Sequence, residues 1–198
     1  MKEFWDNRYS DADYAYGKEP NAFFREQTDL LKPGNMLLPG EGEGRNAVYA
    51  ARRGWQVKAI DYSEEGKRKA EQLAAEYGVS IDYEVNTIEK MRLQPTSYDA
   101  AAFIYVHLPA DAMGTVVKNI LRSLKKGGVI LMEFFSKKQL GLDSGGPKSP
   151  DLLYTTEQVE SWLTNTRISM FREAEIRLDE GLFHQGSAWV IQAVAIKE

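Results

Sequence analysis

The sequence predicts an α/β protein: a doubly wound, seven-stranded mixed sheet whose last strand pair is antiparallel. Three observations lead there. Short apolar runs alternate with longer helical segments through most of the chain, those segments close at glycines, and two apolar runs follow one another near the C-terminus with no helix between them. Alternation of strand and helix demands parallel strands with crossover helices on both faces. Consecutive strands joined by a short turn pair antiparallel.

Met36 to Leu38, Val57 to Ile60, Ile81 to Val85, Ala100 to Val106 and Val129 to Phe135 read as five buried strands. Helices are expected over Arg45 to Arg53, Ser63 to Tyr77 and Ala110 to Leu124, closed by Gly54, Gly78 and Gly127, where a left-handed residue is cheap. Gly141 to Pro150, with Gly145, Gly146 and Pro147, reads as a long loop. A helix follows from Thr156 to Leu163, opened by the capping pair Thr155 and Gln158. Phe171 to Leu178 and Ala188 to Ile196 complete the sheet. The N-terminal stretch holds Phe4, Trp5, Tyr9, Tyr14, Tyr16, Phe23 and Phe24. Two readings of it stay open: a helix packed on the sheet edge, or a lid over residues 1–30 that closes on a ligand and excludes water.

With 198 residues the chain is expected to form a single domain over 1–198. Its 43% hydrophobic and 27% charged residues match a soluble globular protein. A net charge of −4 without a basic patch argues against nucleic acid or an anionic membrane as partner. Without cysteine there is no disulfide, thiolate-metal site or cysteine nucleophile. The scattered acids and two distant histidines offer no compact metal-ligand spacing. The acidic start reads as no signal peptide, and no long apolar run suggests a membrane helix, so a cytoplasmic protein is expected.

The most specific local feature is Leu37-Leu38-Pro39-Gly40-Glu41-Gly42-Glu43-Gly44-Arg45-Asn46, three alternate glycines between a strand and a helix. Such a turn is sharp and lets a ligand approach the backbone closely. Asp61 ends the second strand, about 20 residues further on, where an acid accepts the hydroxyls of an adenosine ribose. Together these indicate a nucleoside. A dinucleotide fold favours glycine at the sixth motif position, where this chain has Arg45, and Glu41 and Glu43 oppose a pyrophosphate. A cationic nucleoside suits an acidic turn better.

These residues resemble the class I S-adenosylmethionine-dependent methyltransferases, and most of all the small bacterial branch related to the tellurite-resistance and thiopurine methyltransferases. The similarity lies in Phe4-Trp5-Asp6-Asn7-Arg8-Tyr9, Tyr16 to Asn21, Gly42 to Ala47, His107-Leu108-Pro109, Leu124 to Gly128 and Asp179 to Gly186. It implies a Rossmann-like methyltransferase fold and S-adenosylmethionine as cofactor. Gly40, Glu41, Gly42 and Gly44 would then back the methionine portion, Asp61 would hold the ribose, and Tyr62 would flank the adenine. Asn86, Thr87 and Ile88 stand where relatives carry an acid near the adenine amine. Glu41 would replace the acid that relatives place before the first glycine. Trp5, Tyr16 and Ser63 join the expected cofactor set, and Tyr105 and Val106 end the fourth strand at the methyl-transfer face.

Methyl transfer from a sulfonium needs mainly alignment in a dry site. A base is required only where the nucleophile must lose a proton, and His107 and His184 are the candidates. Each also has a bland reading, His107 as a helix-capping or packing residue and His184 as a surface turn residue. His184-Gln185 replaces the His-Arg of tellurite-type relatives, which disfavours an oxyanion acceptor. The acceptor is expected to be a small molecule, and the protein a monomer or homodimer. Two further readings remain open: a non-catalytic nucleoside-binding module and an NAD-dependent oxidoreductase. The charged residues of the second helix, Glu64, Glu65, Lys67, Arg68, Lys69, Glu71 and Glu76, read as a solvated face.

Overall fold

The computed structural model describes residues 2–198. Its strands are β1 (Asn35–Pro39), β2 (Gln56–Asp61), β3 (Asp82–Val85), β4 (Tyr98–Ile104), β5 (Leu124–Phe135), β6 (Thr166–Glu180) and β7 (His184–Lys197). They form a seven-stranded sheet in the order β3-β2-β1-β4-β5-β7-β6, the α/β architecture that the sequence predicts. The chain divides into two compact units, one of residues up to Met91 with Glu180–Phe183, the other of Arg92–Asp179 with His184–Glu198.

In the first unit β1 pairs parallel with β2 from Asn35↔Gln56 to Pro39↔Ile60, and β2 with β3 from Lys58↔Asp82 to Asp61↔Val85. This register brings the C-terminal ends of all three strands to one level, where a ligand meets an open parallel sheet. Four helices accompany them: α1 (Lys2–Tyr9), α2 (Ala22–Thr28), α3 (Arg45–Arg52) and α4 (Glu64–Glu76). Gly54 and Gly78 follow α3 and α4 in left-handed conformation, as expected. Ser63 caps α4, its Oγ accepting from the Gly66 amide at 3.0 Å. The buried side of α4 is Gly66, Lys69, Ala70, Leu73 and Ala74.

In the second unit β4 and β5 run parallel, and β5 pairs antiparallel with β7 from Val129↔Ile196 to Phe135↔Val190. Helices α5 (Ala110–Ser123) and α6 (Thr156–Trp162) lie here. The capping box read from Thr155 and Gln158 is present in both directions. Several boundaries differ from expectation, β7 for one beginning at His184 instead of Ala188, and three of the differences have a local cause. First, β4 stops at Ile104, because Tyr105 turns the chain at φ 56°, so Tyr105 and Val106 lie outside the strand. Second, α5 ends at Ser123, and Lys125 to Gly128 belong to β5. There the pairing jumps from Tyr98↔Leu124 to Ala100↔Val129, and Gly127 takes φ 78° inside that irregularity instead of closing a helix. Third, β6 begins at Thr166 instead of Phe171; as the outermost strand it is half-exposed along most of its length, which blurs the period-2 signal. No helix among the described residues is long and apolar enough to cross a membrane.

Candidate functional site

The site in the first unit starts from the turn between β1 and α3. Gly40, Gly42 and Gly44 all have positive φ, at 69°, 62° and 88°. The reason is partly packing within the protein. A Cβ on Gly44 would lie 2.5 Å from Ala70 Cβ of α4, and one on Gly42 would lie 2.6 Å from the Tyr9 hydroxyl. Asp61 fastens this turn to the end of β2: Oδ2 accepts from the Gly42 amide at 3.1 Å and Oδ1 from the Ser63 amide at 2.9 Å. Burial raises the Asp61 carboxyl to about 6, against the lowering effect of these amides. Each carboxylate oxygen keeps a further lone pair, so Asp61 can hold the backbone and accept hydroxyl donors together.

The acids of the turn do different work from the one the sequence suggests. Glu41 Oε1 accepts from the Ala47 amide at 2.7 Å and so caps α3, which has no side-chain cap at Gly44. Burial lifts its carboxyl to about 7. Glu43 turns inward to Lys69 Nζ at 2.6 Å, in a pair only 2% and 3% exposed. Arg45 binds Glu180 at 2.9 Å. The charges weighed in the sequence against a pyrophosphate are thus largely spent inside the protein. Lys69 also corrects the reading of α4 as a uniformly solvated face. Its place three residues after Gly66 and four before Leu73 puts it on the buried stripe, a signal that was present in the spacing.

The N-terminal segment is anchored to this turn. Glu43 Oε2 accepts from the Ala15 amide, Lys69 donates to the Asp13 carbonyl, Arg45 donates to the Tyr16 carbonyl, and Asn46 Oδ1 accepts from the Asn21 amide. Gly181, at φ 64°, lets the β6–β7 turn approach: a Cβ there would lie 2.5 Å from the Gly17 nitrogen. Helix α1 continues the cover. Asp6 accepts from Ser63 Oγ at 2.6 Å, Trp5 stacks on Tyr9 at 5.4 Å and lies 6.4 Å from Tyr16, and it hydrogen-bonds Tyr62. Asp6 and Tyr9 are neighbours of the expected site that the sequence reading did not single out. Of the third-strand residues, Asn86 donates its backbone N–H to the Asp61 carbonyl, and its side-chain carbonyl accepts from the Thr87 amide at 2.8 Å; Ile88 is buried. Trp5, Tyr16, Gly40, Glu41, Gly42, Gly44, Asp61, Tyr62, Ser63 and Asn86 are therefore gathered about one end of β1 and β2. Aromatic rings, a buried carboxylate and tight backbone turns match an adenosine with a cationic tail.

Tyr105, Val106, His107 and His184 belong to the second unit. Phe135 is at their centre: Tyr105 stacks on it at 4.5 Å, His107 at 5.7 Å, and His184 meets it edge-on at 5.5 Å. The Leu152 carbonyl lies 3.2 Å from His107 Nδ1. A carbonyl only accepts, so Nδ1 carries the proton and Nε2 keeps its lone pair. Burial, with a smaller contribution from His184, lowers the imidazole to about 4, so it is neutral at physiological pH. His184 is 5% exposed, a wall of this cluster and not a surface turn residue. Val106 is buried. The loop after β5 is fixed over Phe135: Gln139 donates to Ser144 Oγ and accepts from the Trp189 amide, and Gly146 lies so near that a Cβ would be 2.9 Å from the ring. Among the described residues no group of three or more histidines and acids is placed to hold a metal.

Residues 37–128 match the family described as a methyltransferase domain. The chain is 34% identical over 117 residues to a ubiquinone biosynthesis O-methyltransferase of Idiomarina loihiensis, an alignment of 58% of this chain and 46% of that enzyme. It thus spans less than half the length of this curated relative. Among solved structures, TehB of Haemophilus influenzae superposes with a TM-score of 0.72 at 15% identity, over 100% of this chain and 67% of TehB. The 1,6-didemethyltoxoflavin-N1-methyltransferase of Burkholderia thailandensis, with bound 1,6-didemethyltoxoflavin and S-adenosylhomocysteine, gives a TM-score of 0.64 at 18% identity, over 89% of this chain and 78% of that one. The chain shares the α/β fold of these solved structures, and its residues 37–128 are similar to the methyltransferase domain family.

Proposed function

We propose that the protein is an S-adenosylmethionine-dependent methyltransferase acting on a small-molecule acceptor in the cytoplasm. The observation that supports this reading is Asp61, a buried carboxylate at the end of β2 that grips both the glycine turn and the start of α4, inside a segment matching the methyltransferase domain. Similar proteins support it: one is an O-methyltransferase, and another holds S-adenosylhomocysteine.

The bound cofactor supplies an activated methyl group on sulfur. This chain then has to position it and manage a proton. We assign Asp61 to the ribose hydroxyls, Trp5, Tyr16 and Tyr62 to the adenosine surface, and Gly40, Gly42 and Gly44 with Glu41 to the methionine end, with Ser63, Asn86, Thr87 and Ile88 around the nucleoside. Tyr105 and Val106 are assigned to the methyl-transfer face by the resemblance alone. His107, with its proton fixed on Nδ1, is suited to take a proton at Nε2 from an acceptor hydroxyl or amine. His184 braces the rings around it.

Calorimetry of the wild type and Asp61→Ala with S-adenosylmethionine, S-adenosylhomocysteine and NAD tests the reading. It predicts binding of both S-adenosyl ligands and at least about tenfold weaker binding by the variant, near 1.4 kcal/mol. Binding of NAD alone would transfer the protein to nucleotide-dependent redox chemistry.

A further inference from the structure

Four basic side chains stand out in or beside the strap of residues 13–21 and the glycine turn beneath it. Lys18 is paired with Glu76, Arg45 with Glu180 and Lys69 with Glu43. The fourth is Arg8. It donates Nη1 to the Tyr16 hydroxyl at 3.2 Å, and among the described residues no ion pair includes it. Its guanidinium is stacked instead: the carbon lies 3.8 Å from the centre of the Phe183 ring and 5.1 Å from that of Phe4.

A half-buried guanidinium without an acidic partner is an unusual expenditure of charge. Two rings and one hydroxyl hold its plane in place, and the remaining N–H groups form the planar fork that suits a carboxylate. Its neighbour in the helix, Tyr9, places its hydroxyl against Gly42 of the turn assigned to the methionine end. That end of S-adenosylmethionine is an amino acid, with an ammonium and a carboxylate. The cations beside the turn, Arg45 and Lys69, are already paired with Glu180 and Glu43, which leaves neither of them for the carboxylate.

We infer that Arg8 is the carboxylate clamp of the cofactor's amino-acid portion. The assignment rests on the methyltransferase reading above and adds a residue on α1 to its site. In this arrangement α1 contacts the cofactor through charge as well as through its rings, and Phe4, Tyr16 and Phe183 act as positioning residues that fix where the guanidinium plane lies.

The test compares S-adenosylhomocysteine with two ligands lacking the free carboxylate, its methyl ester and 5′-methylthioadenosine, by calorimetry on the wild type, Arg8→Gln and Arg8→Lys. The wild type should prefer the acid over the ester by about tenfold, or about 1.4 kcal/mol. Arg8→Gln should bind acid and ester alike while retaining methylthioadenosine within about twofold, and Arg8→Lys should keep part of the preference because the charge remains. Because each protein is compared with itself across ligands, a general loss of stability cannot imitate the result. Equal weakening of all three ligands by Arg8→Gln would overturn the assignment and leave Arg8 as packing for the strap. Unchanged discrimination would overturn it too, and would direct a search for an acidic acceptor as the source of the carboxylate. Wild-type protein that binds methylthioadenosine but not S-adenosylhomocysteine overturns the clamp alone; failure to bind either removes the methyltransferase reading together with it.

Discussion

Lys69 of α4 and Glu43 of the glycine turn meet at 2.6 Å with their side chains 2% and 3% exposed, and both also hold the backbone of the N-terminal strap. Ion pairs so deeply buried are costly to break singly, because the survivor keeps its charge without its partner. Lys69→Met should therefore destabilise the protein by about 3–5 kcal/mol in urea unfolding. The double variant Glu43→Gln/Lys69→Met should recover a clear part of that loss. Strict additivity of the two single changes would show that the pair is not coupled.

Gly181→Ala is expected to release the strap without touching the glycine turn. The added Cβ would meet only backbone, at 2.5 Å from the Gly17 nitrogen and 2.6 Å from the Ala15 oxygen, and φ 64° adds strain. Limited proteolysis should then cut between residues 10 and 21 faster than in the wild type, with weaker S-adenosylhomocysteine binding. A cleavage rate equal to the wild type would show that the turn and the strap are not coupled.

His107 sets a pH dependence whose sign is fixed. Its imidazole is lowered from 6.5 to about 4 in the folded protein, so as pH falls protons bind the unfolded chain first. Stability that is fully present above pH 6.5 is lost progressively toward pH 4. His107→Gln should lose about 1–3 kcal/mol less than the wild type over that interval. The difference between the two proteins isolates this group from Asp61 and Glu41, whose raised values act in the opposite sense: they favour the folded state below the unfolded carboxylate range, and that contribution fades as pH rises through about 6 and about 7.

In catalysis the same substitution separates two roles. If His107 takes the acceptor's proton, His107→Gln should lower kcat by about 10²–10⁴-fold while leaving the affinity for S-adenosylhomocysteine within about twofold. A matched fall in cofactor affinity would identify His107 as part of the packing around Phe135.

The elements that could be read in the sequence were those specified by local chemistry. The turn from Gly40 to Gly44, the acid at the end of β2, the glycines after α3 and α4 and the Thr155–Gln158 box all lie within a few residues of the structure they determine. What escaped depends on distant partners. Nothing near Glu43 announces that its cation lies on α4, and nothing near Arg45 announces Glu180 at the far end of β6. The end of β4 is hidden in the sequence because Tyr105 adopts a left-handed conformation that β-rich neighbours conceal. Phe135, which with Phe134, Gln139 and Leu140 reads from the sequence as either a pocket-lining or a loop-anchoring residue, is the ring around which both histidines are arranged.

The strap bears on how this protein is to be handled and altered. Its anchors, Glu43, Arg45 and Asn46, lie in and directly after the glycine turn, so the segment from Asp13 to Asn21 is no detachable appendage. A version trimmed to begin at Asn21 would strip an amide from Glu43 and carbonyls from Lys69 and Arg45 in one cut. The damage would surface at the glycine turn, as poor folding or lost ligand binding, and an experimenter shortening the protein from that end would see a disabled protein where the missing piece was part of its foundation.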